Sequence, residues 1–178
     1  MGLNNQRDRL CVLQFSDGNG DAHLVHFAPN QYDAPNLKKL LTDQSYTKLF
    51  HFARFDVAII RAYLGVLVQP VYCTKIASKL ARTYTDRHGY KEICRELLSV
   101  DISKQQQSSD WGADELSEDQ KNYAASDVMN LHALREKLNV MLEREGRMQY
   151  ASAAFGFLPA RAMLDLAGWQ NMDIFSHH

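Results

Sequence analysis

Excess charge of either sign is missing from this chain. Its 178 residues carry 20 Lys and Arg against 21 Asp and Glu, a formal net charge of −1. Tight non-specific nucleic-acid binders usually show a strongly basic balance, so the composition argues against that class. It leaves room for a protein that grips a few nucleotides through metal ions. Cysteine is scarce and scattered: Cys11, Cys73 and Cys94 form no CxxC pair. That excludes a disulfide framework and a cysteine zinc site, and the expectation is reduced thiols in the cytoplasm. No basic-then-apolar leader opens the chain, and no apolar run approaches membrane-spanning length. There is no HxxxH pair, so His23 and His51 read as packing or surface histidines. Ser16 and the pair Ser108-Ser109 lack a GxSxG context, and Gly18-Asn19-Gly20 reads as a turn, not a phosphate loop. Repeats and long linkers are also absent.

What is present suits one globular domain. Hydrophobic residues make up 46% and charged residues 23%, enough apolar material for a core without the signature of disorder. Two apolar runs, Arg9 to Phe15 and Ala22 to Phe27, flank a Gly/Asn/Asp turn and predict a β-hairpin. A short helix is expected from Pro35 to Thr42. Lys48 to Phe52 reads as a strand feeding a helix from Arg54 to Leu64 that ends at Gly65. Val71-Tyr72 is a brief strand before a helix from Thr74 to Ala81, and another helix covers Gly89 to Leu98. After a polar loop from Asp101 to Gly112, Ser117 and Gln120 have the spacing of a capping box. One long helix then carries Ala124, Val128, Leu131, Leu134, Leu138 and Met141 at helical intervals up to Gly146. A last apolar helix lies within Met148 to Gly168. Strands first, then helices, with one strand–helix unit, give an α/β fold with a mixed sheet.

Two acids and a tyrosine carry the chemistry. Tyr123 and Asp127 are four residues apart on a predicted helix, which places phenol and carboxylate on one face. Asp127 is flanked by the apolar seam of Ala124, Val128 and Leu131, where a carboxylate needs a partner or a metal. Asp56 falls in the first turn of its helix, just past the end of a strand, where ligand sites of open α/β sheets gather. On spacing alone, Asp56 is better accounted for by the helix N-terminus, an interaction of about 0.3–1 kcal/mol. Arg82, Arg87, His88, Lys91 and Lys104 place positive charge between the two halves, either as a solvated face or as contacts to phosphates.

The stretch Gln107-Ser108-Ser109-Asp110-Trp111, then Leu116, Gln120 and Tyr123-Ala124-Ala125-Ser126-Asp127, resembles the ribonuclease D family of the DEDDy 3′–5′ exonuclease superfamily. His51-Phe52-Ala53-Arg54-Phe55-Asp56 resembles its second motif, with Phe52 where an asparagine is common. The resemblance implies a ribonuclease H-like mixed β-sheet flanked by helices, forming a single exonuclease domain over residues 1–178. It implies two divalent cations, Mg²⁺ or Mn²⁺, with Asp127 holding the water-activating ion, Asp56 supporting the second, and Tyr123 orienting the water. Substrate contacts are expected from Leu3, His51 and Arg54. The expected substrate is the 3′ end of single-stranded RNA, in tRNA precursors or other structured RNA. The family's first Asp-x-Glu motif and its strand would lie just before Gly2-Leu3, so the sheet is expected to lack its first central strand. The domain is expected to be truncated at its N-terminus relative to the family and to lack a C-terminal helical nucleic-acid-binding domain. Three readings follow: an exoribonuclease, a catalytically impaired RNA-binding short form, or a domain that builds a homo-oligomer.

Overall fold

The computed structural model describes residues 8–103 and 109–177. Strand β1, Val12–Phe15, pairs antiparallel with β2, His23–His26, in the register Val12 with His26 and Phe15 with His23. The predicted hairpin is present. Its turn depends on Gly18, at φ +91, where an added Cβ would sit 3.1 Å from the His132 ring. Helix α1 spans Pro35–Thr42, as expected from the sequence.

A strand–helix–strand unit follows. Strand β3, Lys48–Phe50, leads into helix α2, Ala53–Leu64, and β4, Val71–Cys73, returns parallel to β3. Helix α2 buries Val57, Ala58, Ile60 and Leu64 and stops at Gly65, whose φ of +73 suits a residue without Cβ. Helix α3, Thr74–Ala81, and helix α4, Tyr90–Leu98, continue the layer.

The long helix expected behind Ser117 is two helices. Helix α5 covers Glu118–Met129 and α6 covers Leu131–Arg144, separated at Asn130, where φ is −99 and ψ 0. The apolar periodicity runs through this break because Leu131, Leu134, Leu138 and Leu142 all face the core. Helix α7, Met148–Leu164, closes the domain and ends in a single π-helical turn, Asp165–Trp169. The core lies where α2, α3, α6 and α7 pack around β3 and β4, with Val57, Ile93, Leu134, Leu138 and Leu142 fully enclosed.

Among the described residues, no strand joins the β1–β2 ladder to the β3–β4 ladder. A cavity of about 510 Å³ lies between them, walled by Leu13 and Phe15 on one side and Leu49 and Phe50 on the other. No helix of the described residues is long and apolar enough to cross a membrane.

Two substitutions separate local from core stabilisation. Ser117→Ala removes the hydroxyl that accepts from the Gln120 N–H and is expected to cost about 1 kcal/mol. Leu138→Ala empties a fully enclosed position and is expected to cost about 2–5 kcal/mol. Urea denaturation of both variants checks the order; equal losses would mean that α6 is not part of the cooperative core.

Candidate active site

The site is assembled from two helices and the loop before one of them. At the start of α5 the capping box is complete: the Gln120 N–H donates to Ser117 Oγ at 3.2 Å, and the Ser117 N–H to Gln120 Oε1 at 2.9 Å. The same Gln120 side chain donates to the Asp110 carbonyl at 2.9 Å, tying the Asp110-Trp111 loop to the helix. Trp111, buried at 8% exposure, then packs on the Tyr123 ring with centroids 6.0 Å apart. Arg9, in front of β1, donates to the Gly112 carbonyl at 2.9 Å. Loop, helix and hairpin thus hold Tyr123 in place, and the next helical turn carries Asp127 on the same face.

Asp56 comes from the first turn of α2. The chain reaches that helix through Phe52, whose φ of 67 and ψ of 43 are left-handed. Asp56, Tyr123 and Asp127 all line one cavity of about 470 Å³, together with His51, Phe52 and Lys75. Both carboxylates are pushed well above the usual range, Asp56 to about 7 and Asp127 to about 6. Desolvation is the main cause in each, and the charge of Asp127 raises Asp56 further. Burial, and then Asp127, also raise the Tyr123 phenol.

His51 is neutral. Desolvation, followed by the charge of Lys75, lowers it to about 4. Its Nδ1 lies 2.9 Å from Thr74 Oγ1, and that hydroxyl donates to the Phe50 carbonyl at 3.1 Å. The hydroxyl proton is therefore committed, so His51 Nδ1–H is the donor and Nε2 is left as an acceptor.

Arg54 stands apart from the cavity. Its guanidinium makes a bidentate pair with Asp165, at 2.5 and 2.7 Å, across to the end of α7. Leu3, Lys104, Gln107 and Ser108 lie outside the described residues. Arg82 is not a solvated charge: it is fully buried, pairs with Glu96 and donates to Ser78 Oγ. Lys91 does line the cavity. Lys75 and Tyr90 line it too, and sequence reasoning passed over both. The available signal for Lys75 was its place two residues beyond the end of β4.

Two desolvated carboxylates in one cavity are hard oxygen donors of the kind that suit Mg²⁺ or Mn²⁺. Among the described residues no group of three or more His, Cys, Asp or Glu converges as a ready metal cluster. Two such donors alone would leave part of a divalent cation's coordination to water.

A sequence family described as 3′–5′ exonuclease matches residues 1–143. The chain belongs to this family. A curated ribonuclease D from Granulibacter bethesdensis is 34% identical over 149 residues, which are 84% of this chain and 37% of that protein. The chain therefore spans little more than a third of the length of that relative. The structure of Brucella melitensis NrnC with bound Mg²⁺ superimposes with a TM-score of 0.96 at 58% identity, covering 99% of this chain and 86% of that one. The same protein bound to pGG gives a TM-score of 0.96 at 59% identity, with the same coverage of both chains. These findings bear out the resemblance read from the Gln107–Asp127 stretch, together with the ribonuclease H-like fold class.

The two raised carboxylates make stability depend on pH in a definite direction. A raised folded-state value favours the protonated group, so its contribution is full below the unfolded value near 4. It is lost as pH rises through about 6 for Asp127 and about 7 for Asp56. Divalent cations oppose that loss by binding the ionised forms. Thermal melts should show Mn²⁺ raising the melting temperature by several degrees at pH 8 and little at pH 5. An equal shift at both pH values would mean that neither carboxylate takes the cation.

Proposed function

We propose that this chain is the catalytic domain of a ribonuclease D-like 3′–5′ exoribonuclease, hydrolysing phosphodiester bonds from RNA 3′ ends with divalent cations, Mg²⁺ or Mn²⁺. The observation that carries the reading is the convergence of Asp56, Tyr123 and Asp127 on one cavity in a chain of the 3′–5′ exonuclease family. Three free cysteines support a reducing, cytoplasmic setting.

Divalent cations, when bound, supply a more acidic water and charge neutralisation at the scissile phosphate. The chain's own groups do the rest. Asp127 and Asp56 offer the oxygens that hold the cations, and bound cations favour their ionised forms. Tyr123, its phenol held protonated by burial and by Asp127, orients the attacking water instead of taking its proton. His51 Nε2 accepts a hydrogen bond from a sugar hydroxyl, a role open only to a neutral imidazole. Lys91 and Lys75 face the phosphates. The pGG-bound neighbour supports very short 5′-phosphorylated RNA as a substrate beside longer single strands.

A second reading has one observation in its favour: among the described residues no group of three or more His, Cys, Asp or Glu is gathered closely enough to hold a metal ion. On that reading the chain binds RNA, alone or as a homo-oligomer, and cleaves it poorly. Incubation with 5′-labelled single-stranded RNA and Mn²⁺ separates the two. The exonuclease reading expects stepwise shortening from the 3′ end. Asp127→Ala should reduce cleavage at least 100-fold with folding intact, and Tyr123→Phe roughly 10- to 100-fold with Mn²⁺ still bound. Intact RNA with retained binding establishes the second reading; a Tyr123→Phe variant as fast as the parent removes the assigned role of the phenol.

A further inference from the structure

Phe52 is held in a conformation its side chain disfavours, at a place where neither capping nor core packing accounts for it. Its φ of 67 is left-handed, a region bulky residues seldom adopt outside functional sites. Asn30 and Ser99 are the other non-glycine residues with positive φ among those described, and both have small polar side chains. As the N-cap of α2, Phe52 makes no side-chain hydrogen bond to the helix, whereas Ser, Thr, Asp or Asn would. Its ring is not part of the hydrophobic cluster that takes in its neighbours Phe50 and Phe55. It stands instead on the wall of the cavity that contains Asp56, Tyr123 and Asp127. Over that ring lies the ammonium of Lys75, 4.4 Å from the centroid, on a side chain that lines the same cavity.

We propose that Phe52 and Lys75 form a nucleotide-holding pair, in which the Phe52 ring stacks on a base of single-stranded RNA and the Lys75 ammonium binds the phosphate of that nucleotide. The inference rests on the exonuclease reading and deepens it, since it names the groups that hold the strand while Asp56 and Asp127 act. An aromatic face accepts every base, which suits an enzyme that removes successive nucleotides regardless of sequence. A lysine supplies a mobile point charge for phosphate. In the free protein the two groups satisfy each other through a cation–π contact. The left-handed backbone turns the ring to the cavity wall, four residues before Asp56, so the stacked base and the carboxylate have a fixed relation. Both are positioning residues and neither touches the bond that breaks.

The test uses the full chain with a short single-stranded RNA carrying 2-aminopurine at its 3′ end. Ca²⁺ serves as the divalent ion, because it binds the same oxygen ligands with looser geometry than Mg²⁺. Asparagine tolerates the left-handed backbone, so Phe52→Asn removes the ring without adding strain. It is expected to weaken binding about 5- to 100-fold, the range of one lost base–aromatic stack, and to diminish the fluorescence quenching of the bound base. Phe52→Trp should restore both. Lys75→Gln should lower the slope of log K against log salt by about 0.7, the value of one single-strand phosphate contact. Phe52→Leu retains apolar bulk without a ring face and should weaken binding like Phe52→Asn, which separates stacking from any loss of folding. Parent-like binding and quenching by Phe52→Asn or Phe52→Leu, or an unchanged slope for Lys75→Gln, overturns the pairing and leaves the exonuclease reading standing. A parent chain that binds no RNA overturns both.

Discussion

Desolvation of an acid is tolerated in this fold wherever a cation stands against it, and Asp56 and Asp127 are the departures that define the site. Asp165 is 5% exposed and is held by Arg54 and Arg161 together. Glu96 is paired with buried Arg82 and accepts from the Tyr84 hydroxyl, and these partners hold it below the usual range. Asp56 and Asp127 have no such neighbour. Their values rise because burial dominates, and the charge of Asp127 raises Asp56 further. A shift of one unit corresponds to about 1.4 kcal/mol, so each acid, once ionised, carries a free-energy cost that a cation set against it would relieve. The same arithmetic explains why Tyr123 remains a phenol: the environment that disfavours the carboxylate charges also disfavours a phenolate.

The scaffold restrains the site from both ends. Arg54 lies two residues before Asp56, and its bidentate pair with Asp165 fastens the first turn of α2 to the end of α7. Arg161 extends that anchor by donating to Asp165 and to the carbonyls of Trp169 and Met172. On the other side, Gln120 and Arg9 fix the Asp110–Gly112 loop, and Trp111 fixes Tyr123. Arg54 therefore serves the site indirectly, by orienting the helix that carries Asp56.

Much of this was legible in the residues, and the failures have physical causes. Pro35 and Thr42 bound α1, and Thr74 and Ala81 bound α3, because each helix has an apolar stripe flanked by clear breaks. The interruption at Asn130 was invisible because the stripe continues across it with no glycine or proline to mark it. Asp56, Tyr123 and Asp127 stood out through one helical turn and one strand–helix junction. Arg82 and Arg54 were misleading for a common reason: a sequence lists charges without their partners, and Glu96 and Asp165 lie 14 and 111 residues away. Phe52 was noted only as a departure from asparagine and Lys75 was passed over, because the conformation that joins them is a single left-handed residue, which composition does not reveal.

The inter-sheet cavity and the active-site cavity are not independent spaces. Leu13, Gln14, Leu49, Phe50, Ile60, Val128 and Leu131 wall both. Val128 adjoins Asp127 in the chain, and Ile60 lies one helical turn beyond Asp56 on α2. Any backbone that settles between β1 and β3 would exclude water from the faces that Ile60 and Val128 now share. Excluding water there lowers the local dielectric around both carboxylates and strengthens every charge interaction made with them. The packing between the two ladders and the acidity of the site are thus coupled through the same few side chains. A single strand's worth of packing would move the stability of the hairpin and the acidity of the site together.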